Sequence, residues 1–188
     1  MTLLKIARMG HPVLTRRAED VADPTARDIR RLVEDMMETM DDGNGVGLAA
    51  PQVHVGRRVI IFKAPAERTD DEADANAISA LTALINPSFE PVSDDMALGW
   101  EGCLSIPGIT GAVPRHTHIR YRGMDSSGRA VDREASGFHA RVVQHEIDHL
   151  DGVLFPMRMT DLTLLSFNEE LRHFVDAETP DEDRDEPE

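Results

Sequence analysis

Gln144-His145-Glu146-Ile147-Asp148-His149-Leu150-Asp151-Gly152 is the stretch on which the reading of this chain turns. Ser136 and Gly137 introduce a predicted helix over about 138 to 150. On a helix, residues four apart lie one turn apart on one face, so both imidazoles of this HExxH can reach the same ion. Glu146 is rotated about a quarter-turn away, close enough to handle the proton of a water there without ligating the ion. Phe138, Val142, His145 and His149 follow in steps of four, three and four. The two histidines therefore share a stripe with two apolar side chains. His139 falls off that stripe and reads as an ordinary surface histidine.

Catalytic zinc-type centres take three protein ligands and keep one position open. This HExxH lacks the further histidine of the long metzincin pattern, so the third ligand must come from elsewhere. Cys103 is the candidate, in Glu101-Gly102-Cys103-Leu104-Ser105, with Gly102 allowing close approach. A lone cysteine is also a common buried core residue, and that reading stands beside the first. A thiolate with two imidazoles is nonetheless a sensible set for Zn²⁺ or Fe²⁺. Glu101 and Arg115 read either as supports of these ligands or as a plain ion pair.

A third cluster is Gly45-Val46-Gly47-Leu48-Ala49-Ala50-Pro51-Gln52. Gly45, Gly47 and Ala50 fit a G-x-G-x-x-A dinucleotide fingerprint, but a helix precedes it and Pro51 falls where the next helix should run. The better reading is an extended segment that lets another backbone come close, with Gln52 offering an amide donor.

Around these clusters the pattern is mixed. Residues 24 to 41 predict a helix, capped by Asp23, with Ile29, Leu32, Val33, Met36, Met37 and Met40 as an apolar stripe. Asp41-Asp42-Gly43-Asn44-Gly45 stops it. Residues 57 to 64 and 80 to 89 predict strands, separated by the polar, acidic stretch 65 to 77. Residues 116 to 122 predict a half-buried strand with His116 and His118 on its solvated face. Asp125 to Gly128 then turn the chain into a hairpin. A last helix is expected over about 160 to 175.

With 188 residues and no dividing linker, one catalytic domain over 1–175 is expected, followed by an acidic, disordered tail over 176–188. That tail carries eight acids and one arginine, nearly half of the net charge of −15. The acidic balance opposes nucleic-acid binding, which draws on cationic contacts with phosphates. Eight aromatic residues are too few for a base-stacking platform. No apolar run approaches the length of a membrane span, and the start has no signal-peptide pattern. One cysteine forms no internal disulfide, so a reducing cytoplasm is the expected location.

GVGLAAPQ (45–52), EGCLS (101–105) and QHEIDHLDG (144–152), in this order, resemble the signature of the peptide deformylases. The likeness runs from about Lys5 to about Phe167 and includes the MGHPVLTRRAEDV opening and the INP strand. It implies an α+β fold, with a central HExxH helix packed among antiparallel β-sheets and helices near both ends. It implies hydrolysis of the N-formyl group from N-formylmethionine on nascent polypeptides, releasing formate. Cys103, His145 and His149 would hold one divalent ion, Fe²⁺ natively, with Zn²⁺, Ni²⁺ or Co²⁺ as substitutes. Glu146 would be general base and acid, with Gln52 and the Leu104 N–H holding the oxyanion. Gly45, Gly47 and Gly102 would offer backbone to a peptide that adds like a strand, and Val46, Phe138 and Val142 would line the side-chain pocket. Gly99-Trp100 and residues 136–141 resemble the branch shared with organellar enzymes. The partners implied are nascent chains at the ribosome. The acidic tail differs from the basic C-terminal helix by which some relatives dock on ribosomal RNA, and neither direct nucleic-acid binding nor a membrane is expected. A general zinc endopeptidase would share the HExxH without needing the other two motifs. A silent binding module would be expected to lose a ligand or Glu146.

Overall fold

The computed structural model describes residues 2–64 and 78–174. The acidic stretch 65–77 and the acidic tail lie outside the described residues. The chain is α+β, with two antiparallel sheets and a central helix between them. Helix α1 (Arg27–Asp42) is followed by β1 (Gly47–Ala49), β2 (Val59–Ala64) and β3 (Ile78–Pro91). Then come β4 (Met96–Cys103), β5 (Ile106–His116), β6 (His118–Met124) and β7 (Ala130–Ser136). Helix α2 (Gly137–Leu150) and the short β8 (Leu165–Phe167) complete the order. The larger sheet runs β1-β2-β3-β6-β7 and the smaller β4-β5-β8.

Strand β2 shows why the larger sheet lies between two helices. Successive side chains of a strand point to opposite faces. Val59 and Ile61 join Ile29, Val33, Met36 and Met40 of α1, whereas Ile60 and Phe62 join Val143, Ile147 and Leu150 of α2. All four β2 side chains are fully buried. Each contributes roughly 1.5–3 kcal/mol over an exposed position, enough to fix the register of both helices. The smaller sheet has its own core, made of Leu14, Ile106, Val113, Leu154 and Phe155. The α1 stripe is as predicted, but its N-cap is Ala26 rather than Asp23. Asp23 instead accepts from the Thr25 N–H (2.8 Å) and holds a turn before the helix.

Two expectations fail for tertiary reasons. The predicted strand over 116 to 122 is broken at Thr117: His116 ends β5 in one sheet and His118 begins β6 in the other. Ile119 and Tyr121 are buried and alternate with Arg120 and Arg122, as the pattern requires, but the two histidines do not share a face of one strand. The helix expected over 160 to 175 is absent over most of that range. Leu165–Phe167 pair with Ile109, Thr110 and Gly111 of β5, flanked by single 3-10 turns at Leu162–Leu164 and Asn168–Glu170, and α-helical structure begins only at 172–174, where the described residues end. Leu162 and Phe167 stay exposed, so no apolar stripe is buried there to hold a helix.

Candidate active site

Helix α2 is enclosed on nearly every side. From His139 to Leu150 only Arg141 escapes full burial. A helix so placed must satisfy its polar side chains internally, because a buried polar group without a partner is costly. His145 Nδ1 lies 2.8 Å from Glu101 Oε2, which leaves Nε2 facing the site. Glu101 also accepts from Arg115 Nε and Nη2 (2.9 and 3.0 Å) and from Arg141 Nη1 (2.8 Å). Arg115 in turn meets Asp148, which also accepts two bonds from Arg158. Burial pushes the Glu101 carboxyl up, but the hydrogen bonds from His145 and Arg115 outweigh it and hold the pKa at about 2. Glu101 and Arg115 thus form a buried ion pair, and the Glu101 carboxylate also holds the His145 ring.

At the end of β4, where the pairing with β5 shifts register between Gly102 and Cys103, the side chains of Glu101 and Cys103 both reach α2. Cys103 Sγ lies 3.3 Å from His149 Nε2. One donor atom each from Cys103, His145 and His149 lies within 4.8 Å of the others. Sulfur and nitrogen bound tetrahedrally to one zinc-sized ion stand about 3.5 Å apart, so the spacing suits a shared ion. Burial would raise the Cys103 pKa, yet the neighbouring His149 and His145 bring it well below that of an ordinary thiol. A thiolate and two imidazoles are a donor set that fits a divalent transition ion.

Glu146 is buried, and its Oε2 has no hydrogen-bond partner among the described residues. Burial raises its pKa to about 7, against the pull of His145 and His149. Gly47 packs directly on it: a Cβ built there would stand 2.7 Å from Glu146 Cδ, closer than folded proteins tolerate. Of the segment expected to be extended over 45–52, only Gly47–Ala49 form a strand, and Ala50–Val53 wind into a tight turn. Gln52 in that turn accepts from the Ala49 N–H (2.8 Å). Its Nε2 donates toward Cys103 Sγ (3.4 Å) and Ser105 Oγ (3.2 Å).

A groove of about 450 Å³ opens over these atoms. Gly45, Val46, Gly47, Gln52, Gly102, Cys103, Leu104, Phe138, Val142, His145 and Glu146 all border it, whereas His149 lies behind them. Among the described residues a Cβ at Gly102 would meet only Thr110 Oγ1, at 3.7 Å, so none of them demands glycine there. Trp100 and Arg141, which lie in the segments that resemble the organellar branch, also border the groove, as does Asn168, which carried no signal in the sequence. Asp148 and Arg158 are likewise visible only once the fold has paired them. His139 corrects the surface assignment: it is fully buried, with its ring against Phe62 and Tyr121.

A buried HExxH helix, a cysteine thiolate beside its two histidines and an open groove together define a metal-dependent hydrolase of the HExxH type. Residues 3–164 match the family described as polypeptide deformylase. Peptide deformylase 2 of Ralstonia nicotianae is 52% identical over 164 residues, which are 87% of this chain and 91% of that one. Peptide deformylase 1 of Bordetella pertussis is 52% identical over 166 residues, 88% of this chain and 93% of its own. The structure of the Ehrlichia chaffeensis peptide deformylase superposes with a TM-score of 0.78 at 31% identity, covering 96% of this chain and 99% of that chain. The chain belongs to the polypeptide deformylase family, metal-dependent enzymes that remove the N-formyl group from newly made polypeptides.

Proposed function

We propose that Cys103, His145 and His149 hold one divalent ion and that Glu146 moves the proton in hydrolysis of an N-formylmethionyl peptide. The observation that carries this reading is the meeting of three donors from two separate elements beside a buried, unpartnered carboxylate oxygen. An ion bound there supplies Lewis acidity, which acidifies a water and polarises the formyl carbonyl. Glu146, with its pKa raised to about 7, takes the proton as the water attacks the formyl carbon. It then returns that proton to the departing amine, giving formate and a free methionyl N-terminus.

The oxyanion gathers against Gln52 Nε2 and the Leu104 N–H. One such donor supplies about 3 kcal/mol of transition-state stabilisation. Gly45, Gly47 and Gly102 offer main-chain groups along the groove, and Val46, Phe138 and Val142 receive the methionine side chain. We read residues 1–175 as one catalytic domain; the acidic residues 176–188 lie outside the described residues. The ion is Fe²⁺, and the substrates are chains emerging from the ribosome in the cytoplasm, reached without direct RNA contact. No helix among the described residues is long and apolar enough to cross a membrane.

The test is formate release from a formyl-Met peptide beside cleavage of peptides at internal bonds. Formate release alone is expected. Glu146→Ala should lose about 10²- to 10⁴-fold in kcat and keep its metal. Internal cleavage, or metal lost in step with activity, would overturn the assignment.

A further inference from the structure

Arg141 leaves α2 one turn before His145 and reaches the strand that carries Cys103. Its Nη1 donates to Glu101 Oε1 (2.8 Å), to the Val113 carbonyl (2.8 Å) and more weakly to the Gly99 carbonyl (3.3 Å). Its Nη2 donates to the Ala97 carbonyl (2.8 Å). The side chain is only 14% exposed; the bonds from Nη1 are partly buried, and the one to Ala97 lies at the surface. A planar guanidinium can serve several acceptors from one rigid fork, which a lysine cannot do. Gly99 completes the arrangement. A Cβ there would stand 2.7 Å from Arg141 Nη2, 2.8 Å from Cζ and 3.0 Å from Nε, so the guanidinium occupies the space a side chain would need.

This contact bears on the geometry of the donor set. His145 and His149 sit on α2, whose main apolar packing is against the five-stranded sheet. Cys103 sits on β4, an edge strand of the other sheet. The spacing between thiolate and imidazoles therefore depends on what ties β4 to α2. Arg115 to Asp148 and Gln144 to His116 tie α2 to β5, the neighbouring strand. Arg141 grips the β4 main chain itself at Ala97 and Gly99. It also holds the Glu101 oxygen opposite the one that meets His145.

We propose that Arg141 is a positioning residue, which through Ala97, Gly99 and Glu101 sets the Cys103 segment against the helix that carries His145 and His149. The proposal rests on the three-ligand reading above. Gly99 is its counterpart, a position kept free of a side chain so that the guanidinium can lie flat on the strand.

The test compares wild type, Arg141→Met, Arg141→Lys and Gly99→Ala, each loaded with Zn²⁺. The readings are the rate of ion release to a chelator and the separate values of kcat and KM on a formyl-Met peptide. Arg141→Met and Gly99→Ala should both release the ion faster by about tenfold or more and lose kcat, with KM changed less than about twofold. Arg141→Lys, which keeps the charge and serves fewer acceptors, should fall between them and wild type. Release and kcat near wild type in all three variants, whatever their thermal midpoints, would reduce Arg141 to a stability element and overturn the proposal. A rise in KM alone would place Arg141 on the peptide and overturn it equally. If Arg141→Met does not fold, Gly99→Ala and Arg141→Lys decide on the same readings. A wild type that holds ion no better than Cys103→Ser would refute the ligand set, and this proposal with it.

Discussion

Gly47 and Glu146 leave each other no slack. The carboxylate is buried, and a methyl at position 47 would occupy its place. Gly47→Ala must therefore push Glu146 aside, and displacements on the order of 1 Å at a proton-transfer group cost about 10² in rate. The expected outcome is a kcat about a hundredfold lower, with metal content unchanged because none of the three donors moves. Steady-state kinetics with metal analysis checks it, and a wild-type kcat would mean that the carboxylate relocates at no cost. At this scale the sequence was legible where chemistry demands a residue type. Cys103, His145 and His149, whose donor atoms meet in space, could be picked out as candidates because few side chains make such a set, and Glu146 by its place beside them. His139 could not, because its burial against Phe62 and Tyr121 depends on residues far away in the chain. Asp148 was hidden for the same reason: its partners Arg115 and Arg158 come from other elements.

The β6–β7 hairpin shows an element whose local code was sufficient. Asp125 accepts from the Ser127 N–H and hydroxyl and from the Arg129 N–H and guanidinium, which fixes the turn before β7 begins. The Ser127 hydroxyl and the Arg129 N–H hold its carboxyl well below the usual carboxylate range. A depressed pKa gives stability that is present above the ordinary value of about 4 and is lost as pH falls through the lower folded value. Asp125→Asn should thus lower the thermal midpoint at neutral pH, and the gap to wild type should close as the solution is taken toward about pH 2. Melting curves across that range test it. A gap that stayed constant would mean that the charge on Asp125 is irrelevant to the turn. The C-terminal element is the contrary case. Residues 162–167 have the spacing of a helix stripe, but β5 presents an open edge at Ile109–Gly111, and pairing with it wins. The break at Thr117 was equally hidden, because the pattern of 116 to 122 is continuous and only the second sheet makes a corner necessary.

Taken whole, the molecule is two sheets that share one helix, and the proposed ion would cross-link them, with one ligand from β4 and two from α2. The acidic tail is a separate matter. Residues 177–188 contain almost nothing apolar, so their removal should leave both the thermal midpoint and kcat/KM near the full-length values. A large drop in either would mean that the tail packs on the domain. Removal of the ion should behave differently. A ligand that binds only the folded state adds about 4 kcal/mol when its concentration is a thousand times its dissociation constant. For a chain of this size that corresponds to roughly 8–16 °C in the thermal midpoint. The buried Glu101, Arg115 and Asp148 network still joins the sheets without the ion, so the apoprotein should stay folded with a lower midpoint. The identity of the ion then separates stability from activity. Affinity alone does not choose Fe²⁺ over Zn²⁺ at a thiolate and two imidazoles, and Zn²⁺ should give the same midpoint or a higher one. The site opens to the groove, and a thiolate beside Fe²⁺ there is exposed to oxygen; sulfur oxidation beyond the sulfenic stage is hard to reverse. Enzyme made anaerobically with iron should therefore be the more active form, and on exposure to air it should lose turnover and its extra thermal stability together. The zinc form should keep its midpoint in air at lower turnover. Parallel melting and formate-release curves over hours in air read both quantities. Iron enzyme that lost activity while its midpoint held would show that inactivation leaves the cross-link intact and spares Cys103.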